Sequence, residues 1–295
     1  MRRLARLLLA AGLLLLGGCS TLQLGYNNAD ALLTWRADSY FDLDPPQRHD
    51  FRERLDRLLA WHRREQLPDY ARFVKAAVER ARGGLRREDL LWFVDGFKLR
   101  YRAIVERGAV DAAEVLATLT PEQIRHLAAE FARTNRRFAA EHELDDSLDT
   151  QKRARNQRVL QQITDWTGSL SRTQEQRIEG LLEAVPLFEH LRQQDRMRRQ
   201  REFLDLLRLR TSRAEFAARL RAWLLDWEAG RAPEFERLMT EVTERRIEFY
   251  LAVERLLTPA QRERALKRLA GFGDDFRALA ARDAPAPAAD KMPAR

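Results

Sequence analysis

Leu119-Thr120-Pro121-Glu122-Gln123 contains every local signal for the start of a helix. Thr120 can accept a hydrogen bond from a backbone N–H of the first turn, and Gln123 can reach back to the N–H of Thr120. Pro121 occupies the first helical position, and Leu119 can pack on the first turn as a hydrophobic staple. The same order of leucine, capping residue, two further residues and glutamine recurs at residues 43–47, 170–174 and 257–261.

Helical periodicity fills the chain between these starts. Apolar residues recur at spacings of three and four, as in Phe216, Leu220, Trp223 and Trp227, which is the pattern of an amphipathic helix. β-branched residues are sparse and never alternate with polar residues over a useful length, so no strand is predicted. The unequal distances between the four starts argue against a regular solenoid. We expect an all-α fold of long antiparallel helices in an irregular multi-helix bundle without a sheet.

Glycine and proline decide how continuous these helices are. Gly96 and Gly108 lie inside one long amphipathic segment, where they either interrupt the helix or let a neighbour approach closely. Pro68 is expected to restart a helix. A stop is expected near Gly271-Phe272-Gly273, with a short last helix after it.

The N-terminus has the layout of an export signal. Basic residues precede an apolar run over residues 7–16, which is too short to cross a bilayer. The run ends in Leu16-Gly17-Gly18-Cys19, which resembles the lipobox of bacterial lipoproteins. In that family the cysteine is lipidated and the signal is cut before it. The alternative is an ordinary signal peptide in which Cys19, the chain's one cysteine, occurs by chance.

The domain organisation follows from this anchor. Ser20 follows the cysteine, which by the same resemblance implies the outer membrane, with the protein facing the periplasm. A subdivision of the helical part is expected near residues 168–186, where Pro186 should kink or break a helix. We expect a signal peptide over residues 1–18, a lipidated Cys19 with a tether over 19–27, an all-helical domain over 28–282 and a disordered Ala/Pro-rich tail over 283–295.

The charge balance is basic, with a formal net charge of +8 and 33% charged residues. The anchor predicts the membrane as one partner, and the second is expected to be an unknown envelope protein or an anionic envelope component, which a basic chain could attract. Export argues against nucleic acid. The alternative is that arginine is simply abundant in the genome. Residues 192–202 are polar on nearly all sides and form either a solvated face, which we favour, or a contact surface.

Two resemblances suggest different functions. The Leu-Thr-x-x-Gln order resembles the motif of periplasmic Spy/CpxP-type proteins, which implies a helical client-binding chaperone. The stretches Gly25-Tyr26-Asn27-Asn28-Ala29-Asp30, Tyr40-x-Asp42-Leu43, Trp61-His62-Arg63-Arg64 and Leu67-Pro68-x-Tyr70-Ala71 resemble a domain-of-unknown-function family of bacterial lipoproteins. That second resemblance implies an all-α lipoprotein and no particular activity.

One group of residues combines the side chains that make directional polar contacts in a cleft. The alternative is that His62 packs at the edge of the core and Asn28 only caps a helix. The candidate binding residues are Tyr26, Asn27, Asn28, Trp61, His62 and Arg63.

A metal site is a weaker candidate. On one helix, the spacing of His142, Asp145 and Asp146 would place the three side chains on one face, close to Glu141. The alternative is a polar, solvated helix end. No nucleophile elbow, phosphate loop or dinucleotide fingerprint occurs, and no cofactor is expected. We therefore expect a non-enzymatic interaction protein, with a client-binding chaperone or a metal-binding, enzymatic domain as alternatives.

Overall fold

The computed structural model describes residues 21–210 and 212–282. Within these ranges every regular element is a helix and no strand occurs, so the predicted all-α class is confirmed. Cys19, the expected signal peptide and the expected disordered tail lie outside the described residues. The helices are α1 (Thr21–Asn27), α2 (Ala29–Phe41), α3 (Pro45–Trp61), a π-helical turn (His62–Gln66), α4 (Leu67–Ala81), α5 (Arg87–Ala117), α6 (Pro121–Glu141), α7 (Leu148–Thr167), α8 (Arg172–Leu182), α9 (Glu189–Arg208), α10 (Arg213–Leu225), α11 (Pro233–Leu256) and α12 (Pro259–Ala281).

The four repeated motifs start helices in the way that the sequence predicts. The side chains of Asp44, Thr120, Ser171 and Thr258 each accept a hydrogen bond from the backbone N–H of the glutamine three residues later. Each glutamine side chain in turn accepts one from the N–H of its capping residue. These reciprocal bonds satisfy donors that the first turn of a helix leaves unpaired.

The glutamines of the first two motifs also bind each other. Gln47 Nε2 donates to Gln123 Oε1 at 3.1 Å, and Gln123 Nε2 donates to Gln47 Oε1 at 2.6 Å. Each amide donates further to a carbonyl two residues before its partner's cap, Gln47 to Thr118 O at 3.0 Å and Gln123 to Asp42 O at 2.8 Å. We call the pair Gln47 and Gln123 the first glutamine clamp.

The other two motifs repeat this arrangement, and we call Gln174 and Gln261 the second glutamine clamp. Gln174 Nε2 lies 2.8 Å from Gln261 Oε1, and Gln261 Nε2 lies 3.3 Å from Gln174 Oε1. Gln174 donates to Leu256 O at 2.9 Å and Gln261 to Ser169 O at 2.8 Å, again two residues before the partner's cap. The two clamps join helix starts that are 76 and 87 residues apart in the chain.

Each clamp adjoins a buried apolar cluster. The leucines that precede the first pair of caps, Leu43 and Leu119, are both buried in the first cluster. Leu170 and Leu256 are packed against the second cluster. The first cluster contains Ala37, Leu43, Ala113, Leu116, Leu119, Ile124, Leu127, Phe203, Leu207, Phe216 and Leu220, and the second contains Ile163, Ile178, Leu182, Val185, Phe249 and Val253.

The long helix α5 runs unbroken through both Gly96 and Gly108. A Cβ at Gly96 would lie 2.3 Å from a ring carbon of Phe73 in α4, so only glycine lets that ring lie against the helix backbone. At Gly108 a Cβ would lie 3.5 Å from Leu58 Cδ2 of α3, an ordinary contact distance, so this position does not require glycine. Close approach is therefore confirmed for Gly96, and neither glycine interrupts the helix.

Pro186 and Pro68 differ in their effect on helix continuity. Around Pro186 the chain leaves the helix between α8 and α9, as expected. At Pro68 the helix does not restart but continues from α3 through the π-helical turn into α4. Leu67 N–H donates to His62 O, five residues earlier. A proline inside a helix removes one backbone hydrogen bond and crowds the preceding turn, and the wider π turn lies directly before this one.

The expected stop near Gly271 and Gly273 is wrong, because α12 runs through both residues. A Cβ at Gly273 would lie 3.3 Å from Val74 Cγ1 and 3.7 Å from Ala71 O, so this glycine lets α12 approach the backbone of α4. Packing against α4 therefore outweighs the low helix propensity of glycine. Phe276 of α12 also contacts Tyr70 of α4, so the packing of these two helices brings the C-terminal part of the chain against its N-terminal part.

The segment expected to be a tether is helical from Thr21 onward. Gln23 in α1 is buried, and its Nε2 donates to Asp275 Oδ1 of α12 at 2.8 Å. The first helix is thus held by the last, an interaction that spans 252 positions of the chain.

The polar stretch in α9 lies against its neighbours rather than forming a solvated face. Arg199 Nη2 donates to Trp223 O at 2.7 Å, and its guanidinium lies 3.9 Å from the centre of the Trp223 ring. Arg196 Nε donates to Asn135 Oδ1 of α6 at 2.9 Å. The favoured interpretation was therefore wrong: these arginines connect α9 to α6 and α10.

The clamps make a prediction about stability. Gln123→Glu replaces a buried amide donor with a carboxylate that faces the carbonyl of Asp42, so it should destabilise the fold by about 3 kcal/mol or more. Gln261→Glu is the matched control in the second clamp, where the side chain is only half-buried, and it should cost less. Urea unfolding of both variants measures the difference. Equal, small losses would mean that the buried clamp contributes little.

Candidate functional site

The centre of the sequence-predicted group is His62, in the π-helical turn. Tyr26 Oη of α1 lies 2.8 Å from its Nδ1, and Tyr70 Oη of α4 lies 3.2 Å from its Nε2. The Tyr26 ring is stacked on the imidazole at 5.7 Å, and the Tyr70 ring meets it edge-on at 5.2 Å. Both ring nitrogens are therefore engaged by phenol groups from two different helices.

Two more of the predicted residues flank this group. Arg63 Nη1 lies 3.4 Å from Asn27 Oδ1 of α1 and 3.3 Å from Leu279 O of α12. Trp61 Nε1 points away and donates to Glu65 Oε2 at 2.8 Å. The structure thus brings Asn27 and Arg63 together at the meeting point of the first and last helices.

Asn28 does not join the group and does not cap α2. Its backbone angles are φ −112° and ψ 18°, and its side chain makes no capping hydrogen bond. Its Nδ2 donates instead to Leu24 O at 2.8 Å. The reason is that the preceding residues are helical, so Asn28 does not take the extended conformation that a capping residue needs.

Burial is the main cause of the pKa shifts of His62 and Tyr70. It lowers the pKa of His62 and raises the pKa of Tyr70. The imidazole is therefore neutral at pH 7, with one donor and one acceptor nitrogen, and this matches two hydroxyl partners. In this state the group links α1, the π-helical turn and α4. A binding role for its six predicted residues stays a prediction.

The lowered pKa of His62 predicts a pH dependence of stability. Below its ordinary pKa of 6.5, the unfolded chain binds a proton that the folded chain does not, so the stabilisation by His62 is present above that pH and lost as the pH falls. His62→Gln should therefore cost about 1–2 kcal/mol near pH 8. The cost should shrink as the pH is lowered to about 5, in urea unfolding measured across that range.

The exposed histidine His49 provides the control for this measurement. His49→Gln in α3 replaces an exposed imidazole without disturbing the Tyr26–His62–Tyr70 contacts, so its effect should be small at every pH. A cost of His62→Gln that stays constant with pH would contradict a neutral, buried imidazole.

The metal candidate is not assembled. His142 is the C-cap of α6, and after it Glu143 has a positive φ of 53°, so the chain turns away. Asp145 and Asp146 are exposed in that turn, and the helical spacing assumed for the three side chains does not apply. Within residues 21–210 and 212–282, no group of three or more His, Cys, Asp or Glu side chains is placed to hold a metal ion.

Instead, His142 lies beside a cavity of about 220 Å³ that sequence reasoning missed. Its lining includes Arg155 and Arg158 of α7, Arg192 of α9 and Arg246 of α11. No local signal marks these arginines, because they are spread over almost 100 positions in a chain rich in arginine. Only the packing of three helices brings them together.

The structure also shows an apolar face on the first two helices. The side chains of large residues point to solvent there, whereas Thr34 and Ala37 are the buried positions of α2. No helix of the described residues is long and apolar enough to cross a bilayer. The exposed fractions are 63% for Leu24, 52% for Leu32, 44% for Leu33 and 66% for Trp35, and we call these four residues the outer apolar face.

Fold and surface define an all-helical bundle held together by paired polar caps, with an apolar face at its N-terminal end and a basic cavity on its body. A family of unknown function, DUF6279, matches residues 39–236, and the chain belongs to this family. The expected membership of an uncharacterised family is confirmed. No curated protein and no solved structure matches the chain.

Proposed function

We propose that this chain is a lipid-anchored, non-enzymatic interaction protein of the bacterial cell envelope. Cys19 is its lipid attachment site, and the helical body faces the periplasm from the outer membrane. The partner is an envelope protein or an anionic envelope component. The observation that carries this proposal is the outer apolar face, which begins close to the proposed anchor.

The outer apolar face supports contact with a bilayer. A helix of a soluble protein normally buries its large apolar residues and exposes small or polar ones, but α2 does the reverse with Leu32 and Trp35 exposed and Ala37 buried. Contiguous exposed apolar residues mark contact surfaces for proteins or membranes. Tryptophan and leucine on one side of a short helix are typical of a helix that lies in the membrane interface.

The position of the face favours the membrane over a distant partner. Cys19 precedes Thr21, the first residue of α1, by two positions. Helix α1 has seven residues and is therefore about 10 Å long. Acyl chains on Cys19 would place α1 and α2 next to the lipid headgroups. A single acyl chain binds weakly, so apolar side chains that touch the same bilayer add to the attachment.

Lipidation itself is tested by fractionation. Cys19→Ala in the full chain should move the protein out of the membrane fraction, because it removes the only thiol that can carry acyl chains. Cell fractionation followed by immunodetection measures this. Unchanged recovery of Cys19→Ala with the membranes would reject the anchor.

Contact of the outer apolar face is tested separately. The full chain is reconstituted in vesicles that contain lipid brominated on its acyl chains, which quenches nearby tryptophan fluorescence. Trp35→Phe should remove most of the quenching. Trp166→Phe should not, because Trp166 lies in α7 against Phe272. Equal loss in the two variants, or no quenching at all, would show that the face does not touch the bilayer.

A further inference from the structure

The basic cavity lies where four segments meet: the end of α6, the middle of α7, the loop after α8 with the start of α9, and α11. Arg155 forms its buried part, with 7% of the residue exposed. Arg158, Arg192 and Arg246 are exposed around it. Glu189 is the acidic residue of the lining, and its Oε2 accepts a hydrogen bond from Phe188 N at 3.0 Å.

These arginines are not paired with acids. Among the described residues, none of the four guanidinium groups lies within 4.0 Å of a carboxylate oxygen. Elsewhere the protein neutralises several of the arginines that lie between helices. Arg54, for example, lies 2.8 Å from Asp50 and 2.7 Å from Asp111. The positive charge of the cavity is therefore not compensated by ion pairs.

Neutral groups hold the guanidinium groups in place. Arg155 Nη1 donates to Val185 O at 2.7 Å, and its Nε and Nη2 donate to the Asn156 side chain at 3.1 and 3.0 Å. Arg158 Nη1 donates to Glu141 O at 3.1 Å. Carbonyl and amide oxygens orient a guanidinium without cancelling its charge, and each group keeps further N–H donors.

Besides burial, the positive charge of the cavity contributes to the lowered pKa of His142. Burial is the main cause of its lowered pKa, and the charges of Arg158 and Arg192 contribute in the same direction, while Glu189 and Glu141 oppose them. Its Nδ1 is buried and has no hydrogen-bond partner. The lining of the cavity thus includes an imidazole that is neutral at pH 7 beside the arginines.

We propose that this cavity is a binding site for a phosphate group, carried by a small ligand or by a lipid headgroup. Arginine forks bind phosphate oxygens with two parallel hydrogen bonds, which lysine cannot do. The cavity is smaller than the roughly 300–1,000 Å³ of ordinary small-molecule pockets, so it accommodates the anionic group itself rather than a large ligand. The site goes beyond the proposed anchoring function and does not depend on it, because all its residues lie in the helical body.

The test is isothermal titration calorimetry on the purified full chain in a nonionic detergent. One arm uses inorganic pyrophosphate and glycerol phosphate, and the other uses short-chain phosphatidylglycerol. Arg158→Gln/Arg192→Gln should weaken binding by about tenfold or more, because each lost charge-assisted bond is worth that much. Binding in the first arm alone identifies a soluble phosphate ligand, and binding in the second arm alone identifies a lipid headgroup.

The control carries the same change of charge at another place. Arg172→Gln/Arg177→Gln removes two exposed arginines of α8 that have no carboxylate partner among the described residues, and it should bind like the wild type. Thermal unfolding checks that both double variants fold. If Arg158→Gln/Arg192→Gln does not fold, the single Arg246→Gln variant replaces it. Equal weakening in the control, or no binding of any probe by the wild type, overturns the proposal.

Discussion

Two glutamine side chains that share one hydrogen-bonded ring hold the first half of this bundle together. In the first glutamine clamp, Gln47 and Gln123 each close the start of their own helix, bind the other's amide and donate to the loop before the other's cap. Every polar atom of the two buried amides is thereby satisfied, which is the condition for burying them at all. The starts of α3 and α6 are thereby fixed against each other by hydrogen bonds.

The second glutamine clamp applies the same constraint to α8 and α12, although its side chains are less buried. The motif has one role within a helix and a second role between helices, and together these explain why leucine, cap and glutamine recur four times. This explanation does not require kinship with Spy-type chaperones. The motif occurs four times because each of the two glutamine clamps needs two copies of it.

The arginines that lie between helices differ in how their charge is compensated. Several interhelical arginines are paired with acids, and others are held by tryptophan, amide or carbonyl groups. The arginines around His142 differ because several of them, all without an acidic partner among the described residues, line one cavity. The outer apolar face is the opposite kind of surface, and it lies on the helices nearest the proposed anchor. The proposed membrane contact and the proposed phosphate site thus use different parts of the helical body.

Local chemistry was enough to predict the helical class and the four capped helix starts, because a cap and its glutamine lie within one turn and need no other part of the chain. It also predicted that His62, Arg63, Tyr26 and Asn27 belong together, although not that Tyr70 completes the contacts of the imidazole. The spacing argument for His142 and the two aspartates failed because it assumed that α6 continues.

Tertiary structure alone decided which glutamine binds which, whether Gly96 and Gly273 break helices or admit neighbours, and which arginines share a cavity. These outcomes depend on contacts between residues far apart in the chain. A glycine has the same intrinsic helix propensity wherever it occurs, and an arginine has the same charge. What differs is the surface that the folded chain places against it, and no local stretch of sequence contains that information.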